Sequence, residues 1–492
     1  MSLNKFEIGG ITVKKKIGFW DLVFMNISAL FGIRWIAKST ASSFGLGLGS
    51  IPVWLLFAFI FFVPASLICA ELAATYPKDG GLGEWVKQAY GEKWGFMVSW
   101  LNWTSKIFWY SSFLTFLAIN IAYMLGNPDL SNNKMFILAL SLIIFWLLSL
   151  VSTRGMAFGK FFTNTGALGS TIPAILLIVM AFMSVVILKK APSASIYTIQ
   201  NIIPKIDANS LVSISAIIFA LSGAETTANF ITEMDNAKKN FPKAILTVAV
   251  LIGGIYILGS VAITMILPPD KIAASTGILD ALAKVAQDLG IGSWFIRIVA
   301  FGITLSVLGA LILYIAGPVK MLFGNVREGV FPKQLTVTNK YNIPSNAVIV
   351  QAIIVSLLLV GTNLLPSVDN IYNVLVTMTA LTALFPYVLL FTSYIRLRKT
   401  RPNEERPYSI AKSDSVCINI ARMVLVVTVV GILFSTAPVM ETLKDNIIYE
   451  IEMIGGGLFV IITGLMLWKN YEKRYLITLD VSINKNIIIM VS

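Results

Sequence analysis

Histidine is absent from all 492 residues. Without imidazole there is no Ser-His-Asp or Cys-His catalysis, no imidazole-bound zinc and no histidine pH switch. Cysteine is nearly absent as well. Cys69 and Cys417 both lie in apolar stretches, so neither a disulfide framework nor a thiolate metal site is expected. Charge is sparse at 13%, where soluble domains carry about 25%. No set of nucleophile, base or metal ligands stands out, so no enzyme activity, cofactor or metal is expected. The same scarcity of charge excludes a soluble multi-domain protein.

Apolar sequence is abundant instead, at 57% of residues with a mean hydropathy of +0.80. A bilayer-spanning helix takes about 20 mostly apolar residues, so twelve would use about 240. Apolar runs predict helices at 19–44, 51–75, 95–125, 134–152, 163–188 and 211–235 in the first half. In the second half they predict 243–267, 293–322, 346–362, 368–395, 417–438 and 448–468. With the N-terminus inside, segments on that side hold 26 Lys or Arg. The opposite loops hold 7, namely Lys134, Lys189, Lys190, Lys205, Lys271, Lys284 and Lys444. Cytoplasmic loops of membrane proteins collect cations, so the net charge of +13 reads as topology and nucleic acid is not an expected partner. The apolar run after Lys14-Lys15-Lys16 is too long for a cleavable leader and lacks a small-residue cleavage site.

Two predicted helices pair small residues with a charge near mid-membrane. Helix 1 contains Asn26-Ile27-Ser28-Ala29-Leu30-Phe31-Gly32-Ile33-Arg34-Trp35, and helix 6 contains Phe219-Ala220-Leu221-Ser222-Gly223-Ala224-Glu225-Thr226-Thr227. Unwound helices at corresponding positions of two repeats mark the substrate site of many transporters. Freed backbone groups are tolerated there because they line a cavity. Close helix packing through small residues is the other reading of each stretch. Their occurrence at helices one and six of a five-plus-five repeat favours a substrate site.

Further segments stand in a fixed order. Helix 2 ends in Pro64…Ala70-Glu71-Leu72-Ala73-Ala74-Thr75-Tyr76-Pro77, followed by Gly80-Gly81-Leu82-Gly83-Glu84-Trp85-Val86 and Tyr90-Gly91-Glu92-Lys93-Trp94-Gly95-Phe96. After helix 6 come Glu233-Met234-Asp235-Asn236 and Asn240-Phe241-Pro242-Lys243-Ala244. After helix 8 come Arg327-Glu328-Gly329-Val330-Phe331-Pro332 and Asn339-Lys340-Tyr341-Asn342-Ile343-Pro344. In this order the chain resembles the amino acid–polyamine–organocation superfamily of permeases over helices 1 to 10. The loop after helix 2 and the Glu-Met segment look most like the bacterial glutamate/γ-aminobutyrate antiporter branch. The loop from Pro77 to Phe96 lacks the basic Gly-x-x-x-Asp-Arg pattern of major facilitator transporters.

The resemblance implies an all-α integral membrane fold of about 12 transmembrane helices, a LeuT-like 5+5 inverted repeat plus two C-terminal helices. The expected parts are a cytoplasmic N-terminus (1–18) and a transporter core (19–395) with repeats 19–188 and 211–395. A basic cytoplasmic loop (396–416), helices 11 and 12 (417–468) and a cytoplasmic tail (469–492) complete the chain. The 396–415 stretch reads as a loop anchored at the membrane surface. The resemblance further implies that Ser28, Ala29, Leu30, Phe31 and Gly32 receive a substrate carboxylate. Phe219, Ala220, Leu221, Ser222 and Gly223 would face its ammonium. A helix N-terminus suits an anion and C-terminal carbonyls suit a cation, which agrees with that placement. The family's usual Gly-Ser-Gly is replaced here by Ala29-Leu30-Phe31.

A charge at the bilayer centre costs about 2.5–3.5 kcal/mol on insertion scales, so each needs a partner or a cavity. Glu225 is expected to serve gating or coupling, or to form a structural ion pair. Arg34 and Lys38 either steer an acidic substrate side chain or pair with an acid such as Glu225. Lys106 on helix 3 either lines the cavity or snorkels. Glu71 is expected to make an internal salt bridge. Tyr314, Tyr372 and Thr377 are further cavity candidates. Proton-coupled relatives often carry a lysine in mid-helix 5, and 163–188 has none. Exchange is therefore expected over proton symport, and any coupled proton would ride on a carboxylate such as Glu225 or on the substrate. The expected activity is alternating-access transport of an amino acid across the inner membrane. Glutamate exchanged for γ-aminobutyrate is the first choice. A proton-coupled permease for a neutral or basic amino acid or a polyamine is the alternative.

Overall fold

Hydrocarbon offers no partner for backbone N–H and C=O groups, so an apolar run that enters it bonds to itself as helix. The computed structural model describes residues 5–8, 11–14, 18–41, 43–77, 81–154, 159–223, 225, 236–326, 329–440 and 442–491. Among these, ten helices are long and apolar enough to cross a membrane. Numbered by expected span, they begin with helix 2 (Gly47–Thr75), helix 3 (Glu92–Met124), helix 4 (Lys134–Ser152), helix 5 (Leu168–Ile187) and helix 7 (Lys239–Ile266). Then come helix 8 (Trp294–Gly324), helix 9 (Ser345–Thr362), helix 10 (Val368–Thr400), helix 11 (Asp414–Phe434) and helix 12, starting in Leu443–Arg474. The chain is a multi-pass membrane protein. The two expected spans outside this set are the first and the sixth, and both are interrupted. A short antiparallel hairpin, Lys5–Ile8 with Ile11–Lys14, precedes helix 1.

Several boundaries differ from expectation for local reasons. Helix 10 continues to Thr400 and helix 11 starts at Asp414, so the basic connection is shorter than 396–416. Pro402 lies just beyond that stop, and the residue before a proline avoids helical geometry. Helix 12 continues past Lys469 as far as Val491, through a stretch without glycine or proline, so the expected tail segment is helical. Helix 2 passes through a wide π turn at Ala58–Phe62 immediately before Pro64, whose missing N–H such a turn accommodates.

Helices 10 and 3 are the interior members, with 83% and 78% of their most apolar windows buried, against 28% for helices 4, 11 and 12. Helix 3 packs against helices 8 and 10, and helix 8 against helix 5. Small residues set that last crossing: a Cβ on Gly169 would lie 2.3 Å from the Gly302 carbonyl oxygen.

At the end where helix 2 stops and helix 3 begins, the 401–413 connection folds back onto the bundle. Glu71, fully buried, makes the internal salt bridge expected of it. Arg398 reaches it at 2.6 Å and Arg406 at 3.3 Å. The Tyr394 hydroxyl (2.8 Å) and the Ile410 N–H (3.1 Å) donate to the same carboxylate. Arg398 also pairs with Asp414, and Tyr76 donates to Glu404. Burial, then the Glu404 carboxylate, push the Tyr76 phenol up to about 12, so it remains a protonated donor at neutral pH. The loop is therefore anchored by charge-assisted bonds to helix 2.

Candidate functional site

Helix 1 runs from Phe19 to Leu30 and restarts at Arg34, ending at Thr40. Phe31 is extended (φ −74°, ψ 122°), so the unwound residues are Phe31, Gly32 and Ile33. Ser28, Ala29 and Leu30 are still the last helical turn, and the opening starts later than the expected Ser28–Gly32 window. The reason is composition: none of those three residues disfavours helix as strongly as the glycine beyond them. Gly32 N–H donates to the Tyr256 hydroxyl of helix 7 at 3.1 Å. Tyr256 is stacked on Trp54 at 3.9 Å and lies 5.3 Å from Phe31. The Ile33 N–H has no acceptor among the described residues.

The first half of helix 6 spans Ala208–Ala220. Phe219 and Ala220 close it, while Leu221, Ser222 and Gly223 are unwound. The Phe219 carbonyl accepts the Ser222 N–H at 2.9 Å and its hydroxyl at 2.7 Å. Gly223 has φ +113°, a region where side chains are strained. A Cβ there would meet Leu30 Cδ2 at 2.9 Å, so the two openings touch. Gly223 N–H donates to the Tyr387 hydroxyl of helix 10 at 2.6 Å, and that hydroxyl donates to the Glu225 carboxylate. Residues 226–235, including Thr226, Thr227 and Glu233, lie outside the described residues.

Around these openings stand the intramembrane cations. Arg34 is 4% exposed, with its guanidinium over the rings of Phe113 (4.1 Å) and Trp35 (4.6 Å). Its hydrogen bond among the described residues goes to Ser112 Oγ at 3.3 Å, which leaves most of its five donors unused. It makes no ion pair with Glu225 among the described residues. The Tyr372 hydroxyl of helix 10 is buried beside Arg34 and interacts with it. Trp35 is edge-on to Phe219 at 5.6 Å and closes the same side.

Lys106 sits midway along helix 3, half-buried, 5.5 Å from the Tyr314 ring and 5.8 Å from that of Trp109. Trp109 in turn stacks on Phe113 at 4.0 Å. The stacked rings of Trp109 and Phe113 on helix 3 thus lie between Lys106 and Arg34 of helix 1. Glu225 is the acid that acts electrostatically on Lys106.

Lys38 is not part of this group, although the sequence joined it to Arg34. It is fully buried, with Nζ donating to Asn373 Oδ1 at 2.7 Å and to the Phe44 carbonyl at 3.2 Å. Asn373 passes the contact to Asp369 at 2.9 Å, and Asp369 accepts the Ser275 hydroxyl at 2.7 Å. This relay ties helix 1 to helix 10 at the end opposite Glu71. Thr377 is likewise occupied, donating to the Asn373 carbonyl at 2.8 Å. Tyr256, Tyr387 and Ser112 were not singled out by sequence. A lone hydroxyl in an apolar helix carries no pattern that sets it apart.

With this geometry in view, comparison with known proteins is decisive. A model of the amino acid permease family matches residues 17–459. The chain belongs to that family. An uncharacterized transporter of Legionella pneumophila is 30% identical over 94% of this chain and 98% of its own length. A Lactococcus lactis protein named "Probable agmatine/putrescine antiporter" is 25% identical over 93% of this chain and 95% of its own. A glutamate/gamma-aminobutyrate antiporter of Lactococcus lactis is 24% identical over 85% and 84%. The permease is thus a membrane transporter of amino acids or amines, and its paired openings are the candidate site.

Proposed function

We propose that this permease exchanges an acidic amino acid across the inner membrane, glutamate for γ-aminobutyrate being the leading pair. Charge carries the reading. Among the described residues beside the two openings, Arg34 and Lys106 supply two positive charges and Glu225 one negative, which leaves one positive charge over. A substrate with two carboxylates and one ammonium balances that excess, whereas a diamine adds to it. The carboxylate would lie at the Phe31–Ile33 opening beside Arg34. The ammonium would lie at the Leu221–Gly223 opening beside Glu225. Repeats 19–188 and 211–395 would supply one opening each, and one bundle would rock against the other around the site. The bias of Lys and Arg supports both termini in the cytoplasm.

A second reading, transport of a polyamine or a basic amino acid, draws on the antiporter named for agmatine and putrescine. Counterflow in proteoliposomes separates them. Vesicles preloaded with one unlabelled amino acid or amine are offered labelled glutamate. Uptake that requires glutamate or γ-aminobutyrate inside supports acidic exchange. No glutamate signal, with uptake of another substrate driven by a pH gradient, overturns it in favour of proton-coupled transport.

A further inference from the structure

Resting on the acidic reading above, we propose that Lys106 receives the substrate's side-chain carboxylate and so distinguishes an acidic amino acid from its amide. Arg34 stands at the restart of helix 1 and belongs with the first carboxylate. Lys106 stands on another level, separated from Arg34 along helix 3 by the stacked rings of Trp109 and Phe113. Its ammonium makes no hydrogen bond or ion pair among the described residues, although it is half-buried in the middle of the bundle. The Tyr314 ring lies 5.5 Å from it, and the Tyr314 hydroxyl also makes no hydrogen bond there. A cation and a hydroxyl donor thus lie near one another with no acceptor of their own among the described residues.

Glu225 does not fill that role. Its carboxylate already accepts the Tyr387 hydroxyl, and it acts on Lys106 and on Tyr314 through space. A structural lysine at this depth would be paired, as Lys38 is with Asn373 and as Arg398 is with Glu71. Lys106 alone of these cations is held only by ring faces, which attract a cation but leave its N–H donors free. A carboxylate between Lys106 and Tyr314 would use those donors. The neutral amide of the same shape would leave the ammonium uncompensated, and discrimination of this kind is strong because a buried polar group is left unpaired.

The test uses the purified full-length chain. Thermal unfolding is followed while glutamate or glutamine is titrated in, and the same ligands compete for labelled glutamate counterflow. The wild type is expected to prefer glutamate. Lys106→Met should raise the glutamate concentration needed for half-maximal stabilisation at least tenfold and leave glutamine unchanged, while Lys106→Arg keeps the preference. Should Lys106→Met not give monodisperse protein, Lys106→Gln gives the same comparison. A Lys106→Met protein with the wild-type ratio of glutamate to glutamine overturns this assignment alone. A wild type that does not respond to glutamate overturns the acidic reading and the assignment with it.

Discussion

Helix 1 and helix 6 are opened by similar means and loaded with opposite charge. In each, a glycine N–H in the opening is caught by a tyrosine hydroxyl from another helix: Gly32 by Tyr256 at 3.1 Å, Gly223 by Tyr387 at 2.6 Å. The difference lies in the charge beyond each opening. Helix 1 restarts with Arg34, whose donors are largely unused, and helix 6 leads to Glu225, which shares the tyrosine that holds its own opening. On the proposed reading, one opening would take an anion and the other a cation. Their contact at Leu30 and Gly223 brings the two polarities within reach of one small zwitterion.

The most damaging way to break this pairing is at the contact. Gly223→Ala places a side chain at φ +113° and against Leu30, and uptake of labelled glutamate should fall more than about 100-fold while the protein remains monodisperse. Removing one polarity comes next. Arg34→Ala should abolish uptake of acidic substrates with folding intact; hydrogen bonds to a charged group are worth about 1.5–3 kcal/mol each. Normal acidic uptake by that variant would sink the anionic role of helix 1.

A change away from both openings sharpens the comparison from outside. Glu71→Gln leaves Arg398 and Arg406 without their carboxylate and should cost about 3 kcal/mol of stability, at the low end for a broken buried ion pair. Thermal unfolding should register the loss while the order of preferred substrates stays the same. The smallest effects distinguish the two tyrosines. Tyr256→Phe removes one neutral hydrogen bond, about 1 kcal/mol, and should slow transport about fivefold. Tyr387→Phe should do more, because it also leaves the Glu225 carboxylate without its donor. Equal effects in initial-rate assays would argue that Glu225 does not depend on Tyr387.

Much of this was legible in the sequence, for reasons that can be named. Apolar runs marked nine of the ten continuous spans to within about five residues, because hydrocarbon leaves the backbone no other choice, while helix 12 runs well past its expected end. Gly32 and Gly223, each near a charge, marked the two openings. The helix 1 opening was placed too early because Ser28 and Ala29 resemble loop or packing residues yet complete a helical turn. What pairs across the chain was not legible. Glu71 was expected to find a partner, but Arg398 lies 327 positions away and read as a membrane-surface cation. Lys38 and Arg34 share one helix face in sequence, yet Asn373 takes one and aromatic rings take the other. Tyr256 and Tyr387 gave no signal, since a tyrosine in an apolar helix looks like any other aromatic.

The most direct measurement is a cryo-electron-microscopy structure of the permease in nanodiscs with glutamate bound. The account predicts the α-carboxylate at the Phe31–Ile33 opening beside Arg34 and the ammonium at the Leu221–Gly223 opening beside Glu225. Glutamate bound in the reverse orientation, or away from both openings, would contradict it.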